Sequence, residues 1–387
     1  MFITGNLLAT PAVQTISGGP TSGYWNGDTK NVALFNSPMG LAFFSGSNSL
    51  AGDVLYVADR DNDAVRKLDL NLNQTITFLT SKISKPVGVA VDLSGNLYVL
   101  NRGNGNNGTV LEFNRYGNFL GTNALALTNA NALARDDSGN LFVTVNGNAV
   151  VKIEPGSFPG VKTNVCTVTN ANTVLRGITT LSSGLLAVCD AGRNGILTIN
   201  PLTGAWTNLT GFNGVGDTFG APGFVQFNQP LGISAAGAGM LVVTDNGNHR
   251  VKTVDASGNV CSLYGVCSTE WNVVPGDPSV LPGWWDGNGC PCQINCMVCD
   301  NYAEARLPVA ITVAPDGSVY TTENFYHLIR QVVQTGLTGP ENASAPHHRH
   351  AAAKPDREPR RHRHVHRHRQ RFAAAELPMA VWRIAPR

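Results

Sequence analysis

The sequence predicts an all-β protein: a six-bladed β-propeller whose N-terminal strand closes the last blade, followed by a disordered C-terminal tail. Three observations carry that expectation. One phrase recurs six times at a spacing near that of a four-stranded blade, about 45 residues. Glycine is abundant (42 residues) while charged residues make up only 14 %. With frequent Asn-Gly and Asp-Gly pairs, that composition means many tight turns and few long solvated helices. Finally, a strand is spare at the N-terminus and one is missing after the last phrase.

The phrase reads Pro-x-Gly-apolar-Ala, a turn with Gly, Leu-Tyr-Val-x-Asp, a polar turn and an apolar strand. Its clearest copies begin at Pro38-Met39-Gly40-Leu41-Ala42, Pro86-Val87-Gly88-Val89-Ala90 and Pro230-Leu231-Gly232-Ile233. Weaker copies are Ala132-Leu133-Ala134, Gly177-Ile178 and Pro308-Val309-Ala310-Ile311. The anchors fall at 40, 88, 132, 177, 232 and 310, so the last interval holds an insertion, about residues 265–304.

Each copy resolves into four strands. The small Gly-Leu-Ala segment suits an inner strand at a crowded channel. Leu55-Tyr56-Val57 and Leu97-Tyr98-Val99 are β-branched and aromatic, as a strand buried between blades should be. Ala64-Val65-Arg66-Lys67-Leu68 and Arg250-Val251-Lys252-Thr253-Val254 form third strands. Gln74-Thr75-Ile76-Thr77-Phe78 and Ala205-Trp206-Thr207-Asn208-Leu209 are polar enough for outer ones. No outer strand follows Ile329-Arg330-Gln331-Val332, whereas Ala12-Val13-Gln14-Thr15-Ile16 precedes the first copy. Pairing the two would close the ring and remove its free edges.

Thr244-Asp245-Asn246-Gly247-Asn248-His249-Arg250-Val251 and the near copy Ala58–Arg66 resemble the NHL repeat, whose core is Asp-x-x-Asn-His-Arg-apolar. The resemblance covers about residues 12–334. Repeats three and four lack the full turn, and the sixth has Glu323-Asn324 in place of Asp. Because the family's motif residues are structural, the resemblance implies a fold rather than an activity.

Asp59, Asp190 and Asp245 could form a ring of metal ligands; at strand ends, accepting backbone N–H bonds is the stronger expectation. Some NHL-like propellers are lyases with a catalytic zinc held by His, a site needing about three protein ligands. The propeller body offers only His249 and His327, both expected to pack or lie at the surface. Gluconolactonase-type propellers hold a divalent cation with carboxylate and Asn ligands at the channel mouth. Here Phe43, Val91, Arg135, Thr180, Ala235 and Val313 flank the inner strands without a ligand pattern. No Gly-x-Ser-x-Gly elbow exists, and no helix follows Gly103–Gly108 to make it a phosphate loop. No catalytic residue is assigned, and no cofactor, with calcium or zinc belonging to the alternative of a metal-dependent lactonase or lyase.

The expected function is therefore non-catalytic recognition of a protein, peptide or carbohydrate through the loops that join one blade's outer strand to the next blade's inner strand. Three share a theme: Gly23-Tyr24-Trp25-Asn26-Gly27-Asp28, Gly214-Val215-Gly216-Asp217 and Gly283-Trp284-Trp285-Asp286-Gly287. Flat aromatic faces beside hydrogen-bonding groups suit such ligands. The candidate binding residues are Tyr24, Trp25, Asp28, Asp217, Trp271, Trp284, Trp285 and Asp286; packing of the indoles onto the blades is the competing reading.

Six of the eight cysteines, Cys261, Cys267, Cys290, Cys292, Cys296 and Cys299, cluster in or beside the insertion. They are disulfide candidates if the protein is exported, with a zinc knuckle as the other reading. Cys189 is expected to be buried and free, and Cys166 has no evident partner. Residues 335–387 are low-complexity, with His/Arg runs at 347–350 and 360–369. Weak metal chelation, attraction to anionic polymers, a linker or a shifted reading frame are its possible readings. Residues 341–387 carry 11 Lys+Arg against 4 Asp+Glu, while the remainder carries 17 against 22, so the mildly acidic body gives no electrostatic reason to bind nucleic acid. No apolar run is long enough to span a membrane. No signal peptide is visible, and N-terminal truncation is one explanation. Low charge, Asn/Gly richness and clustered cysteines nonetheless favour an extracellular or cell-surface location, as a monomer or as part of a longer chain.

Overall fold

In the computed structural model the described residues are 11–28, 32–46, 52–103, 107–265, 287–288, 305–333 and 335–340. Two units divide the chain, Met1–Ala345 and Pro346–Arg387, and every described residue lies in the first. The expected His/Arg tail beyond residue 340 lies outside them, as do Cys267, Cys290, Cys292, Cys296 and Cys299.

Among the described residues, twenty-six strands form six antiparallel sheets. After β1 (Ala12–Gly18) and the short β2 (Gly27–Asp28), blade one runs through β3 (Pro38–Phe44), β4 (Val54–Asp59), β5 (Ala64–Asp69) and β6 (Gln74–Leu79). Blade two is β7 (Pro86–Val91), β8 (Leu97–Asn101), β9 (Gly108–Phe113) and β10 (Phe119–Leu127). Blade three is β11 (Ala132–Arg135), β12 (Leu141–Val145), β13 (Ala149–Ile153) and β14 (Lys162–Thr167). Blade four is β15 (Leu175–Thr180), β16 (Leu186–Asp190), β17 (Gly195–Ile199) and β18 (Trp206–Gly211). Blade five is β19 (Pro230–Ala235), β20 (Leu241–Asp245), β21 (Arg250–Val254) and β22 (Val260–Gly265). After β23 (Gly287–Asn288), blade six has β24 (Pro308–Val313), β25 (Val319–Glu323) and β26 (Leu328–Val333).

The N-terminal strand completes blade six as the sequence predicts. β1 pairs antiparallel with β26, from Ala12 opposite Val333 to Gly18 opposite Leu328. Two blades also gain a two-residue outermost strand: β2 pairs with β6, and β23 pairs with β1. The sequence places Gly27 and Asp28 in a loop; turning back onto the polar outer strand lets their backbone groups pair with Thr75 and Gln74 rather than with water.

Every second strand is buried along its whole length, because a sheet face meets a neighbouring blade on each side. The core is accordingly six apolar clusters, one in each joint between blades. The closing joint combines Ile16, Tyr320 and Ile329 from blade six with Phe35, Leu41, Leu55, Val57 and Leu68. The motif glycine permits the close approach of inner strands. A Cβ on Gly177 would meet the Leu231 carbonyl oxygen at 2.3 Å, and one on Gly232 the Val309 oxygen at 2.3 Å. Cys166 and Cys189 are both buried and free, and burial pushes the Cys189 thiol well up.

In four of the six joints one side chain ties a blade to the backbone of the next. Four residues after the motif acid or its equivalent, Asp63, Asn194, His249 and His327 adopt left-handed backbone at φ 48°, 57°, 55° and 53°. Each accepts the N–H just before the next blade's proline. Asp63 Oδ1 takes Lys85 N at 2.7 Å and Asn194 Oδ1 takes Gln229 N at 2.8 Å. His249 Nδ1 takes Leu307 N at 3.2 Å, and His327 Nδ1 takes Ser37 N at 3.1 Å across the closing joint.

Only a neutral imidazole can accept these bonds. Burial lowers the pKa of both histidines; the charge of Arg306 adds to this at His249, and Asp61 partly opposes it at His327. A depressed folded-state pKa means their contribution is present above the ordinary value of 6.5 and is lost as pH falls through the folded values. Each acceptor lost costs about 1 kcal/mol. The thermal midpoint is thus expected to drop between pH 7.5 and pH 5. The His249→Asn/His327→Asn pair, which copies Asn194, is expected to flatten that drop. An unchanged slope in the double variant would remove the histidines as its source.

Candidate functional site

The second strand of each blade ends on the face where the interblade loops emerge. In blade one, buried Asp59 accepts Asn36 N at 2.7 Å, Asn62 Nδ2 at 2.8 Å and Arg66 Nη1 at 2.9 Å. In blade five, Asp245 accepts Asn228 N at 2.7 Å, Asn248 Nδ2 at 2.8 Å and Lys252 Nζ at 2.6 Å. Asp190 accepts Val174 N and Arg193 N. The motif acids thus hold backbone N–H groups, largely of the loop entering the blade, rather than of their own turn alone. At Asp59 and Asp245 an Asn three residues on and a cation seven residues on complete the pattern, whereas at Asp190 the cation is Arg193, three residues on. Burial raises the Asp59 and Asp245 carboxyls, and these hydrogen bonds and cations pull them back.

The entry loops then cover the buried cations. Arg66 donates from Nη2 to Trp25 O at 2.6 Å and Asn26 Oδ1 at 2.8 Å, and its guanidinium lies 5.1 Å from the Tyr24 and Phe35 ring centres. Lys252 meets Asp217 Oδ1 at 3.0 Å and the faces of Phe219 and Phe227. Arg250 Nε reaches Asp217 Oδ2 at 2.6 Å. Of the sequence candidates, Asp217 therefore lies against two cations inside the chain, while Tyr24 and Trp25 remain 48 % and 62 % exposed. The Asp28 carbonyl accepts Val32 N and Ala33 N, which closes the first loop. Trp271, Trp284, Trp285 and Asp286 lie outside the described residues. Cys261 is on β22, and its candidate partners fall outside the described residues.

At the centre of the same face is a cavity of about 380 Å³. Its floor is a ring of Leu41, Val89, Leu133, Ile178, Ile233 and Ile311, one from each blade. One step nearer the mouth, at the residue before the motif glycine, stand Met39, Val87, Asn131, Arg176, Leu231 and Val309. Arg102, which follows the blade-two motif residue Asn101, and Gln229 complete the polar side. Arg176 Nη1 donates to Asn131 Oδ1 at 2.7 Å, and the Asn131 amide donates to Asn129 O at 3.0 Å. Burial, and then the charge of Arg102, lower the pKa of Arg176.

Sequence reasoning missed Arg102 and Arg176. The signal was present in register: a charged residue at the x of Pro-x-Gly stands where Met39, Val87, Leu231 and Val309 are apolar.

A closed ring of six four-stranded blades, tied by an acid at the end of each of several second strands, defines a propeller of the short-repeat class. The family model of the NHL repeat matches residues 227–253, the segment from the blade-five entry into β21, so blade five of this six-bladed β-propeller carries an NHL repeat. No curated protein matches it in sequence. Among solved structures, it is similar to an auxiliary nutrient binding protein from Bacteroides ovatus, with 17 % identity and a TM-score of 0.65 over 84 % of this chain and 76 % of that one. A protein of the same description from Bacteroides thetaiotaomicron shows 16 % identity and a TM-score of 0.64 over 85 % and 76 %. A streptogramin B lyase shows 15 % identity and a TM-score of 0.53 over 85 % and 99 %. At these identities the likeness is one of fold. Among the described residues, no helix is long and apolar enough to cross a membrane.

Proposed function

We propose that this propeller is a non-catalytic recognition module that binds a protein, peptide or carbohydrate on its entry-loop face, outside the cell or at its surface. The observation that carries the reading is the first entry loop. Its backbone is fixed by Arg66 from beneath, yet Tyr24 and Trp25 stay exposed above it. A preorganised loop presenting aromatic faces binds without a large ordering cost. The nutrient binding proteins among its structural neighbours support the same class of work.

The alternative, a metal-dependent lactonase or lyase, asks for about three ligands with an open position at the channel mouth. The described residues lining that mouth supply two guanidinium groups, Asn131 and Gln229, with no carboxylate or imidazole beside them. A cation would face Arg102 and Arg176 there, which disfavours calcium or zinc.

Glycan and peptide arrays test the proposal. A ligand captured by the wild type is expected to lose about tenfold or more in affinity on Trp25→Ala, the scale of an aromatic anchor. Equal binding by the variant would move the recognition surface away from this loop.

A further inference from the structure

The central cup is a second, smaller site whose chemistry differs from that of the loop. Its floor is wholly aliphatic, Leu41, Val89, Leu133, Ile178, Ile233 and Ile311. Its polar side, Arg102, Asn131, Arg176 and Gln229, runs from blade two to the entry of blade five and holds two guanidinium groups. Among the described residues neither Arg102 nor Arg176 pairs with a carboxylate, although the buried cations Arg66, Arg250, Lys252 and Arg330 all do. Two like charges lining one cavity repel each other, and a partly buried site strengthens that repulsion. An anion placed between them reverses its sign. Arg176 is held in place by Asn131, so little side-chain freedom remains to be lost on binding.

We propose that the cup binds a small amphiphilic carboxylate, its head taken by Arg102 and Arg176 and its apolar body laid on the aliphatic floor. Guanidinium forks match a carboxylate in a bidentate geometry. Met39, Val87, Leu231 and Val309, at the same level as Asn131 and Arg176 in the other four blades, give the body an apolar wall as well as a floor. A wholly polar anion would leave that wall and floor wet, whereas a neutral or cationic amphiphile would leave the arginines unmatched. This site stands apart from the loop-face reading, and neither depends on the other.

Hexanoate, hexanol and hexylammonium are six-carbon chains of nearly equal apolar body that differ in head charge, so they isolate the two requirements by isothermal titration calorimetry. Saturable one-to-one binding of hexanoate is expected, with hexanol and hexylammonium weaker by about tenfold or more, the scale of a charged hydrogen bond. Arg102→Gln and Arg176→Gln are each expected to weaken hexanoate by about tenfold. Arg176→Lys, which keeps the charge but not the fork, should lie between wild type and Arg176→Gln. Arg115→Gln, on an exposed turn of blade two, should leave affinity unchanged. Unaltered thermal midpoints show that the variants are folded. The proposal is overturned by hexylammonium binding as well as hexanoate, by hexanoate binding that ignores both arginines, or by no saturable heat. In each of those cases an array ligand that still needs Trp25 would leave the loop-face reading standing.

Discussion

A chain lacking residues 1–18 is expected to lose the folded ring altogether rather than to fray at one edge. Without β1, the whole length of β26 from Leu328 to Val333 loses its outer partner strand and keeps only β25. The buried side chains of Val13 and Ile16 go with it, each worth about 1.5–3 kcal/mol. The open strand becomes a template for intermolecular pairing. Those losses together rival the whole stability of an ordinary domain, about 5–15 kcal/mol. In size-exclusion chromatography and circular dichroism the truncated chain should be aggregated or unfolded. A synthetic peptide of residues 11–19 added during refolding should recover monomeric protein. A monomeric, cooperatively melting truncation would show that five complete blades and a partial sixth suffice.

Lys252→Met is the substitution with the next largest expected effect. The ammonium is wholly buried and bridges Asp245 and Asp217 at 2.6 and 3.0 Å. Asp217 retains Arg250, but Asp245 keeps only its neutral donors, Asn228 N and Asn248. Breaking a buried pair by removing one partner costs about 3–5 kcal/mol, because an uncompensated charge is left behind.

The pH dependence identifies the cause. Burial already raises the Asp245 carboxyl and Lys252 opposes it, so losing Lys252 raises it further. A carboxyl whose folded pKa exceeds its ordinary 3.8 weakens the fold as pH climbs above that value. The deficit of Lys252→Met should therefore shrink from pH 8 towards pH 5 in urea unfolding. Adding Asp245→Asn should recover much of the lost stability at neutral pH. A deficit independent of pH would mean that lost packing against Phe219 and Phe227, not the stranded carboxylate, is responsible.

The parts of the molecule that repeat were legible in its sequence, and the parts that differ between repeats were not. Gly40, Gly177 and Gly232 recur because inner strands approach too closely there for a Cβ, and Gly88 sits in a tight but less crowded copy of the position, so the blade count and register follow from periodicity. Closure was legible because Ala12–Ile16 had no other sheet to join. The role of Asp217 was hidden, since its partners Arg250 and Lys252 lie more than thirty residues on and meet it only when the loop folds back. His249 and His327 read as packing residues, and only the left-handed turn shows them reaching into the next blade. Arg102 and Arg176 sit in different repeats, and nothing linear brings them to one cavity.

The pairing of Ala12 with Val333 also fixes where the polypeptide enters and leaves the ring. Opposed residues of an antiparallel pair lie about 5 Å apart. The ring is thus an excursion of almost no net span: a path that goes around the whole circle returns beside its starting point. Spliced between two positions of a host polypeptide, such a circuit would add a binding head without pushing its flanking segments apart. Its attachment would be a single paired stem set in blade six, with the departing chain also held to blade five where Gly237 N donates to Thr338 O.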